Sequence, residues 1–477
     1  MDFPELKLLI AGEWRAGNGR ETRPVIDPAT ADTLAELPVA TDVDVDDALA
    51  AAAESFAAWR NTPAAERGAI LNRAAGLLRE RADEIGRIQT MEQGKAIAES
   101  VSEIFVAADL LQWAAEEGRR TYGRIIPSRV AGGRSIVIRE PLGPVAALTP
   151  WNFPIVIPAR KIAAALAAGC PVVFKPSEET PATAFALASA LLDAGLPPGV
   201  LSVVCGNART ITQRLVASSA IRKVTFTGST PVGSDIAAQA AKRTIPATME
   251  LGGHAPVLVF ADADIARAVR MLVAAKFRNA GQICIAPTRF IVHNAVLSEF
   301  TDQFVEVTRA LRVGNGLDSE VSMGPVANSR RIPAVEELIQ DAVDRGGQVI
   351  AGGKPLDGPG YFFEPTVLTN LDPEQSRIMN EEPFGPVAPI VSFDTVEEAL
   401  TLANRVPFGL ASYAFTTSLA TARLAGESIE AGMVGINDIQ IMGAESPFGG
   451  VKDSGYGSES GVEGVEAFMH SKYIRES

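Results

Sequence analysis

The stretch Val145-Ala-Ala-Leu-Thr-Pro-Trp-Asn-Phe-Pro-Ile-Val-Ile-Pro-Ala-Arg-Lys-Ile-Ala-Ala-Ala-Leu-Ala-Ala-Gly-Cys-Pro-Val-Val-Phe-Lys175 reads as strand, helix, strand. Two short apolar runs, 145–149 and 171–175, flank a helix-like segment near 155–168. The rhythm continues downstream. A helix opened by Thr180-Pro181 closes near Gly195, and Leu201-Ser-Val-Val204 and Arg222-Lys-Val-Thr-Phe226 read as further strands. Short apolar strands alternating with helices predict βαβ units and a parallel sheet. The alternation returns with Pro256-Val-Leu-Val-Phe260, a helix, and Arg289-Phe-Ile-Val-His293, so a second α/β domain is expected. Upstream the chain reads as helix, over Asp44 to Arg60 and Ala64 to Gln93, with Pro63 suited to a first turn and Gly94 to a stop. Gly123 to Arg139 is β-branched and interrupted by Pro127 and Gly132-Gly133, which predicts a hairpin standing off the sheet. An open edge of that kind needs a partner.

The 477 residues suffice for two or more cores, and 47% hydrophobic with 21% charged residues is ordinary globular composition. The best candidate membrane span, Ile155 to Phe174, is interrupted by Arg160 and Lys161. Met1-Asp2-Phe3-Pro4-Glu5 has no basic region, so no secretory signal is expected. Three cysteines cannot form a disulfide framework, which suits a cytoplasmic protein. A net charge of −14 argues against nucleic acid as a partner.

Several residues invite chemistry. Cys284 follows a glycine turn in Asn279-Ala-Gly-Gln-Ile-Cys-Ile-Ala-Pro287, where a thiol can face a cleft and act as a nucleophile; a small buried hydrophobe is the plainer role for a lone cysteine. Glu250, in Thr248-Met-Glu-Leu-Gly-Gly253, is a carboxylate in an apolar setting that raises its pKa toward that of a general base; a surface or helix-capping glutamate is the alternative. In Pro150-Trp-Asn-Phe-Pro154 two prolines and two aromatics hold Asn152, whose side-chain N–H can donate to an oxyanion, unless the motif is only a rigid turn. Phe226-Thr-Gly-Ser-Thr-Pro-Val-Gly233 joins strand to helix as a phosphate-binding turn would, although its Gly-x4-Gly spacing is not the dinucleotide fingerprint. Lys175-Pro-Ser-Glu178 ends a neighbouring strand, where a lysine and an acid can grip a ribose or simply be solvated. His254, His293 and His470 are scattered, and no metal site is expected.

Taken in order, these motifs resemble the aldehyde dehydrogenase superfamily over nearly the whole chain, together with Glu381-Glu-Pro-Phe-Gly-Pro386 and Pro447-Phe-Gly-Gly-Val-Lys-Asp-Ser-Gly455. The resemblance implies an α/β fold with a Rossmann-like cofactor domain (1–121 and 143–252), an α/β catalytic domain (253–459) and a β-arm for oligomerisation (122–142 and 460–477), in a homodimer or homotetramer. It implies Cys284 as nucleophile, Asn152 with the Cys284 N–H as oxyanion hole, and Glu250 as the base for deacylation. It places Trp151, Lys175, Ser177, Glu178, Thr227 and Gly228 around NAD, with Ser229, Gly233, Leu251, Glu382 and Phe384.

Within that family Thr121-Tyr-Gly-Arg124, Lys276-Phe-Arg-Asn279 and Phe448-Gly-Gly-Val-Lys-Asp-Ser-Gly-Tyr456 are similar to succinate-semialdehyde and α-ketoglutaric-semialdehyde dehydrogenases. Arg160 and Arg278 match the arginines that hold the distal carboxylate there. Ile441-Met442-Gly443 stands where a serine completes that grip, and Ala286 stands where many relatives carry a second cysteine. The expected activity is NAD-dependent oxidation of an ω-carboxylated semialdehyde such as succinate semialdehyde. α-Ketoglutaric semialdehyde or neutral aldehydes are the alternatives, and a non-catalytic binding protein on the same fold is a remote one. Acylating and esterase chemistry fit less well, because Glu250 favours water and the cofactor motifs are present.

Overall fold

The computed structural model describes residues 3–476; Met1 and Asp2 of the N-terminal reading and Ser477 of the tail lie outside the described residues. The chain opens with strands the sequence pattern did not announce: β1 (Leu8–Ile10), β2 (Glu13–Arg15), β3 (Thr22–Ile26) and β4 (Thr33–Pro38). Four helices follow, α1 (Asp42–Asn61), α2 (Ala64–Glu80), α3 (Ala82–Gln93) and α4 (Ile97–Glu117). The helix read over 64–93 is therefore two, broken at Arg81 (φ −100°, ψ 12°). The break lets α3 close on α4 at Gly86, where a Cβ would lie 2.7 Å from Val101 Cγ2. Gly94 ends α3 in the left-handed conformation, as expected of a stop.

The hairpin is β5 (Arg124–Ile126) with β6 (Arg134–Pro141). Alternating units then give β7 (Val145–Leu148), α5 (Val156–Ala168), β8 (Val172–Lys175), α6 (Pro181–Asp193), β9 (Leu201–Val203), α7 (Ala208–Ala217), β10 (Lys223–Thr227), α8 (Thr230–Ala241) and β11 (Ala247–Glu250). These strands form the centre of an eight-stranded sheet ordered β2-β1-β9-β8-β7-β10-β11, with a final short strand beyond β11. The five central strands are parallel. Strands β7 and β8 are buried along their length, which is why they read as continuous apolar runs rather than alternating ones. Helix α5 is buried on every face, Arg160 and Lys161 included. Since β7 comes first in the chain and β8 and β10 lie on either side of it, the connections diverge there. That crevice, at the carboxyl ends of β7 and β10, is where open α/β sheets bind ligands.

A second sheet begins five residues after Glu250 and uses β12 (Ala255–Val259), β13 (Pro287–His293), β14 (Gln348–Ala351), β15 (Thr366–Thr369) and β16 (Val387–Phe393). Beyond the two-residue β17 (Phe408–Gly409) it takes β18 (Ala411–Phe415) and β19 (Met433–Ile436), in the order β14-β15-β16-β13-β12-β18-β19. Helix α9 (Ile265–Phe277) joins β12 to β13. The chain then returns: β20 (Val451–Lys452) pairs with β17, and β21 (Gly455–Tyr456) is the edge strand beyond β11 in the first sheet. Finally β22 (Met469–Glu476) lies along β6, making the hairpin a three-stranded arm. None of the described helices is long and apolar enough to cross a membrane.

Thr180-Pro181 opens α6 as read, but the Thr180 side chain does not cap it. The cap comes from α3, where the buried Glu92 carboxylate accepts from Ala182 N (2.9 Å) and Thr183 N (2.8 Å). Replacing Glu92 by Ala leaves both N–H groups buried without partners, each costing about 1–3 kcal/mol. Because burial raises this carboxyl to about 7 in the folded chain, its ionisation costs stability as pH rises; at pH 6, where it is largely neutral, Glu92→Ala should lower the urea midpoint clearly, and by less at pH 8. An unchanged midpoint would show that solvent replaces the cap.

Candidate active site

The loop that carries Cys284 is built from unusual backbone. Asn279, Ala280 and Gly281 take positive φ in succession (48°, 51° and 72°), turning the chain sharply between α9 and β13. Side chains hold the turn. Gln282 Nε2 donates to Asn279 O (3.0 Å), and Gln282 Oε1 accepts from Ala327 N (3.0 Å). Cys284 emerges from this turn only partly buried, whereas Cys170 and Cys205 are buried beside strands. The opposite wall is glycine. A Cβ on Gly253 would lie 2.4 Å from Cys284 O, so the link from β11 to β12 lies directly against the backbone of Cys284.

Asn152 is buried in the turn after β7, and its Nδ2 donates to Gln282 O (3.0 Å). A carbonyl can only accept, so the NH2 end faces it. One of its two hydrogens is thereby fixed, and the second is left for another acceptor. Glu250 ends β11, is 1% exposed, and neither of its oxygens has a hydrogen-bond partner. Burial first, and then the charge of Glu459, hold its carboxyl well above the usual carboxylate range, against the opposing pull of Lys161 and Arg160. The Cys284 thiol is pushed up to about 12 by burial and by the charges of Glu382 and Glu250, with Arg160 opposing. Cys284, Glu250, Asn152 and Arg160 thus meet at the seam between the two sheets.

Arg160 lies on α5, 7% exposed, with its guanidinium stacked 4.1 Å from the Phe448 ring and 4.0 Å from Met442 Sδ. Its Nε has no partner, and among the described residues it forms no ion pair. Arg278 is exposed at the end of α9, its guanidinium 5.4 Å from the Phe153 ring.

The cofactor candidates gather along the carboxyl edge of the first sheet. Lys175 pairs with Glu178 at 2.6 Å. The Ser177 hydroxyl accepts from Glu179 N (3.2 Å), which shapes this loop. Ser229 starts α8 without a side-chain cap, and Thr227 Oγ1 is buried without a partner, so donors at this helix end are open to an anion. Gly228 N donates to Glu250 O (3.1 Å), tying the loop to the end of β11. Gly233 has no alternative, because a Cβ there would lie 2.2 Å from Leu251 Cδ2. Glu382 Oε1 accepts from Gly253 N (3.2 Å), and Phe384 meets Trp151 edge to face at 5.5 Å. These groups supply the kind of open donors and acceptors that would hold a nicotinamide dinucleotide along this edge.

The aldehyde dehydrogenase family model matches residues 14–474. This chain belongs to the aldehyde dehydrogenase family. A 4-(hydroxymethyl)benzenesulfonate dehydrogenase of Comamonas testosteroni is 48% identical to this aldehyde dehydrogenase over 468 residues, covering 98% of this chain and 97% of that protein. The NADP(+) succinate-semialdehyde dehydrogenase GabD of Escherichia coli K12 is 41% identical over 466 residues, covering 98% and 96%. The crystal structure of succinate-semialdehyde dehydrogenase from Burkholderia pseudomallei superposes with a TM-score of 0.96 at 42% identity, covering 99% and 98%. The family fold binds a nicotinamide dinucleotide and acts on aldehydes.

Sequence reasoning missed the residues that hold this aldehyde dehydrogenase's site in place. Arg331 donates to Pro383 O (2.6 Å) and Phe384 O (3.1 Å), supporting the positive φ of Phe384. Lys161, buried on α5, pairs with Glu459 and donates to Thr225 Oγ1 (3.1 Å) behind Glu250. The only trace in the sequence is a charge within an apolar helix, which does not say what it meets.

Proposed function

We propose that this aldehyde dehydrogenase oxidises an aldehyde bearing an acidic group at its far end, of the succinate-semialdehyde kind, to the carboxylic acid with NAD. The observation that carries the substrate reading is Arg160, a buried cation that forms no ion pair among the described residues and acts electrostatically on both Cys284 and Glu250. A buried charge without a partner is costly, and an anionic substrate supplies that partner. Arg278 would approach the same anion from the other side of Phe153. A second reading, an aryl aldehyde with a sulfonate, is favoured by the flanks of Arg160. Phe448 and Met442 are apolar, and Met442 also lines a cleft of about 440 Å³ with Gln440 and Ile441. The Comamonas relative named for a benzenesulfonate supports it.

In this reading Cys284 attacks as the thiolate, its proton lost to solvent, and sulfur adds to the aldehyde carbon. The resulting oxyanion accepts from the free Asn152 N–H and the Cys284 N–H, donors already in place before charge develops. A nicotinamide dinucleotide, when bound, supplies the hydride acceptor. Lys175 and Glu178 would hold its adenosine ribose, the α8 N-terminus its phosphates, and Glu382 its nicotinamide end. Glu250 then deprotonates the water that attacks the Cys284 thioester, and the thiolate leaves. Residues 1–121 and 143–252 would carry the cofactor, 253–459 the nucleophile, and 122–142 with 460–477 the arm. The exposed Tyr122 and Ile125 on that arm (both 76%) suit a second copy in a homodimer or homotetramer. Three free cysteines suit the cytoplasm.

Cys284→Ala should abolish NADH production, whereas Glu250→Gln should release one NADH per active site and then slow by ~10²–10⁴. Because the Glu250 carboxyl titrates above its ordinary 4.5, it is protonated and useless as a base on the acid side. Wild-type kcat should therefore fall with decreasing pH at a midpoint well above 4.5, while the first-turnover amplitude persists. Wild-type turnover by Glu250→Gln across neutral pH would remove Glu250 from this role.

The Glu178 carboxylate leaves no room for the charge of a 2′-phosphate, so kcat/KM should favour NAD over NADP, and Glu178→Ser should narrow the gap. Equal values in the unmutated enzyme would contradict the cofactor assignment.

The substrate is tested by comparing succinate, glutarate and α-ketoglutaric semialdehydes, 4-sulfobenzaldehyde, butanal and benzaldehyde on the wild type, Arg160→Met and Arg278→Ala. Each charge-assisted contact is worth on the order of 1.5–3 kcal/mol, or roughly tenfold and more in kcat/KM. The anionic aldehydes should lead and should lose selectively in both variants. A neutral aldehyde that matches them, or a uniform loss across the panel, would defeat the reading.

A further inference from the structure

Behind the Asn152 turn lies an ion pair that neither the proposed chemistry nor the family motifs use. Lys95, in the link between α3 and α4, is 1% exposed, and Glu103 on α4 is 4% exposed. Lys95 Nζ contacts Glu103 Oε2 at 2.6 Å and donates to the backbone carbonyl of Asn152 at 2.7 Å. The other oxygen of Glu103 accepts from Ile155 N and Val156 N, both at 3.2 Å. The cation thus grips the front of the turn and its own counter-ion grips the back, where α5 begins. Gln89 Nε2 adds a bond to Glu103.

The same carbonyl of Asn152 accepts a second donor, Asn279 Nδ2 (3.0 Å). Asn279 belongs to the nucleophile loop, and its Oδ1 accepts from Gln93 Nε2 (2.8 Å), while Gln93 Oε1 accepts from Lys95 N (3.0 Å). Lys95 also lies 4.0 Å from the Phe153 ring, whose other cationic neighbour is Arg278 at 5.4 Å. A desolvated lysine bound to a carboxylate is an expensive way to stabilise a fold, since apolar residues of similar volume often do as well. What it achieves here is orientation. A peptide carbonyl held by two donors cannot rotate, so the Asn152 side chain keeps one hydrogen on Gln282 O and the other toward the substrate.

We propose that Lys95, held by Glu103, is a positioning residue for the oxyanion hole, acting on the transition state through Asn152. The inference rests on Asn152 being the oxyanion donor. A misplaced donor costs on the order of 10²-fold in rate without loss of ground-state binding.

The test is a double-mutant cycle in kcat/KM with succinate semialdehyde and NAD, using Lys95→Met, Asn152→Ala and the pair. Lys95→Met alone should lower kcat by about 10²-fold, with KM for both substrates within about twofold. In the Asn152→Ala background it should cost almost nothing more, because the group it positions is gone. The same cycle with Glu103→Gln keeps an acceptor for the α5 N–H groups while removing the charge that holds Lys95, so it guards against a Lys95 variant that fails to fold. Non-additivity in either cycle supports the proposal. Additive losses, or a loss confined to KM, overturn it and leave the oxyanion hole intact. Should Asn152→Ala itself keep the wild-type rate, the oxyanion assignment falls, and this inference with it.

Discussion

The contact on which the rest of the site depends is the approach of Gly253 to the Cys284 carbonyl. Only a missing Cβ allows it, since one would lie 2.4 Å away. Gly253 belongs to the short link between the last parallel strand of one sheet and the first strand of the other. The two sheets therefore cannot drift apart at this point without breaking the chain's own path. Glu250 on one side and Cys284 on the other are held within electrostatic reach of each other for the same reason.

Burial then does the chemical tuning. At this seam, groups that would be fully charged in water stand with few partners. Glu250 has none, Arg160 has only an aromatic face and a thioether, and Glu382 is pushed up to about 7 by burial. Lys276, beneath the nucleophile loop, is buried without a partner and pushed down to about 7 by the same desolvation. Glu382 and Lys276, each pushed to about 7, can exchange protons near neutral pH, and the raised Glu250 carboxyl suits a group that is to take a proton from water. The buried pairs Lys95–Glu103 and Lys161–Glu459 differ in that each satisfies its partner and anchors neighbouring polar groups.

Much of the architecture was legible before any coordinates. Strands β7, β8, β9 and β10 appear where the apolar runs stand, because a strand buried on both faces has no polar alternation to blur it. The N-terminal strands escaped for two reasons: β1 is only three buried residues, and β2, β3 and β4 are largely exposed and mix polar with apolar residues, so they carry no clear period. The break at Arg81 escaped because 64–93 holds no proline and its three glycines, Gly68, Gly76 and Gly86, all lie away from the break. The turn is imposed by packing at Gly86 against α4, not by the residues at the break.

The division for the site follows the same physics. Residue type and local spacing determined by themselves which groups could act: Cys284 after its glycine turn, Glu250 in an apolar strand end, Asn152 between two prolines, and the open helix end at Ser229. Those are properties of a side chain and its immediate backbone. Only the tertiary structure decided that Arg160 forms no ion pair among the described residues, that Asn152 fixes one hydrogen on Gln282, that Glu92 rather than Thr180 caps α6, and that Lys95 and Glu103 straddle the Asn152 turn. Each joins residues brought together by folding, and a charge in a linear sequence carries no mark of whether folding will bury it or what it will face.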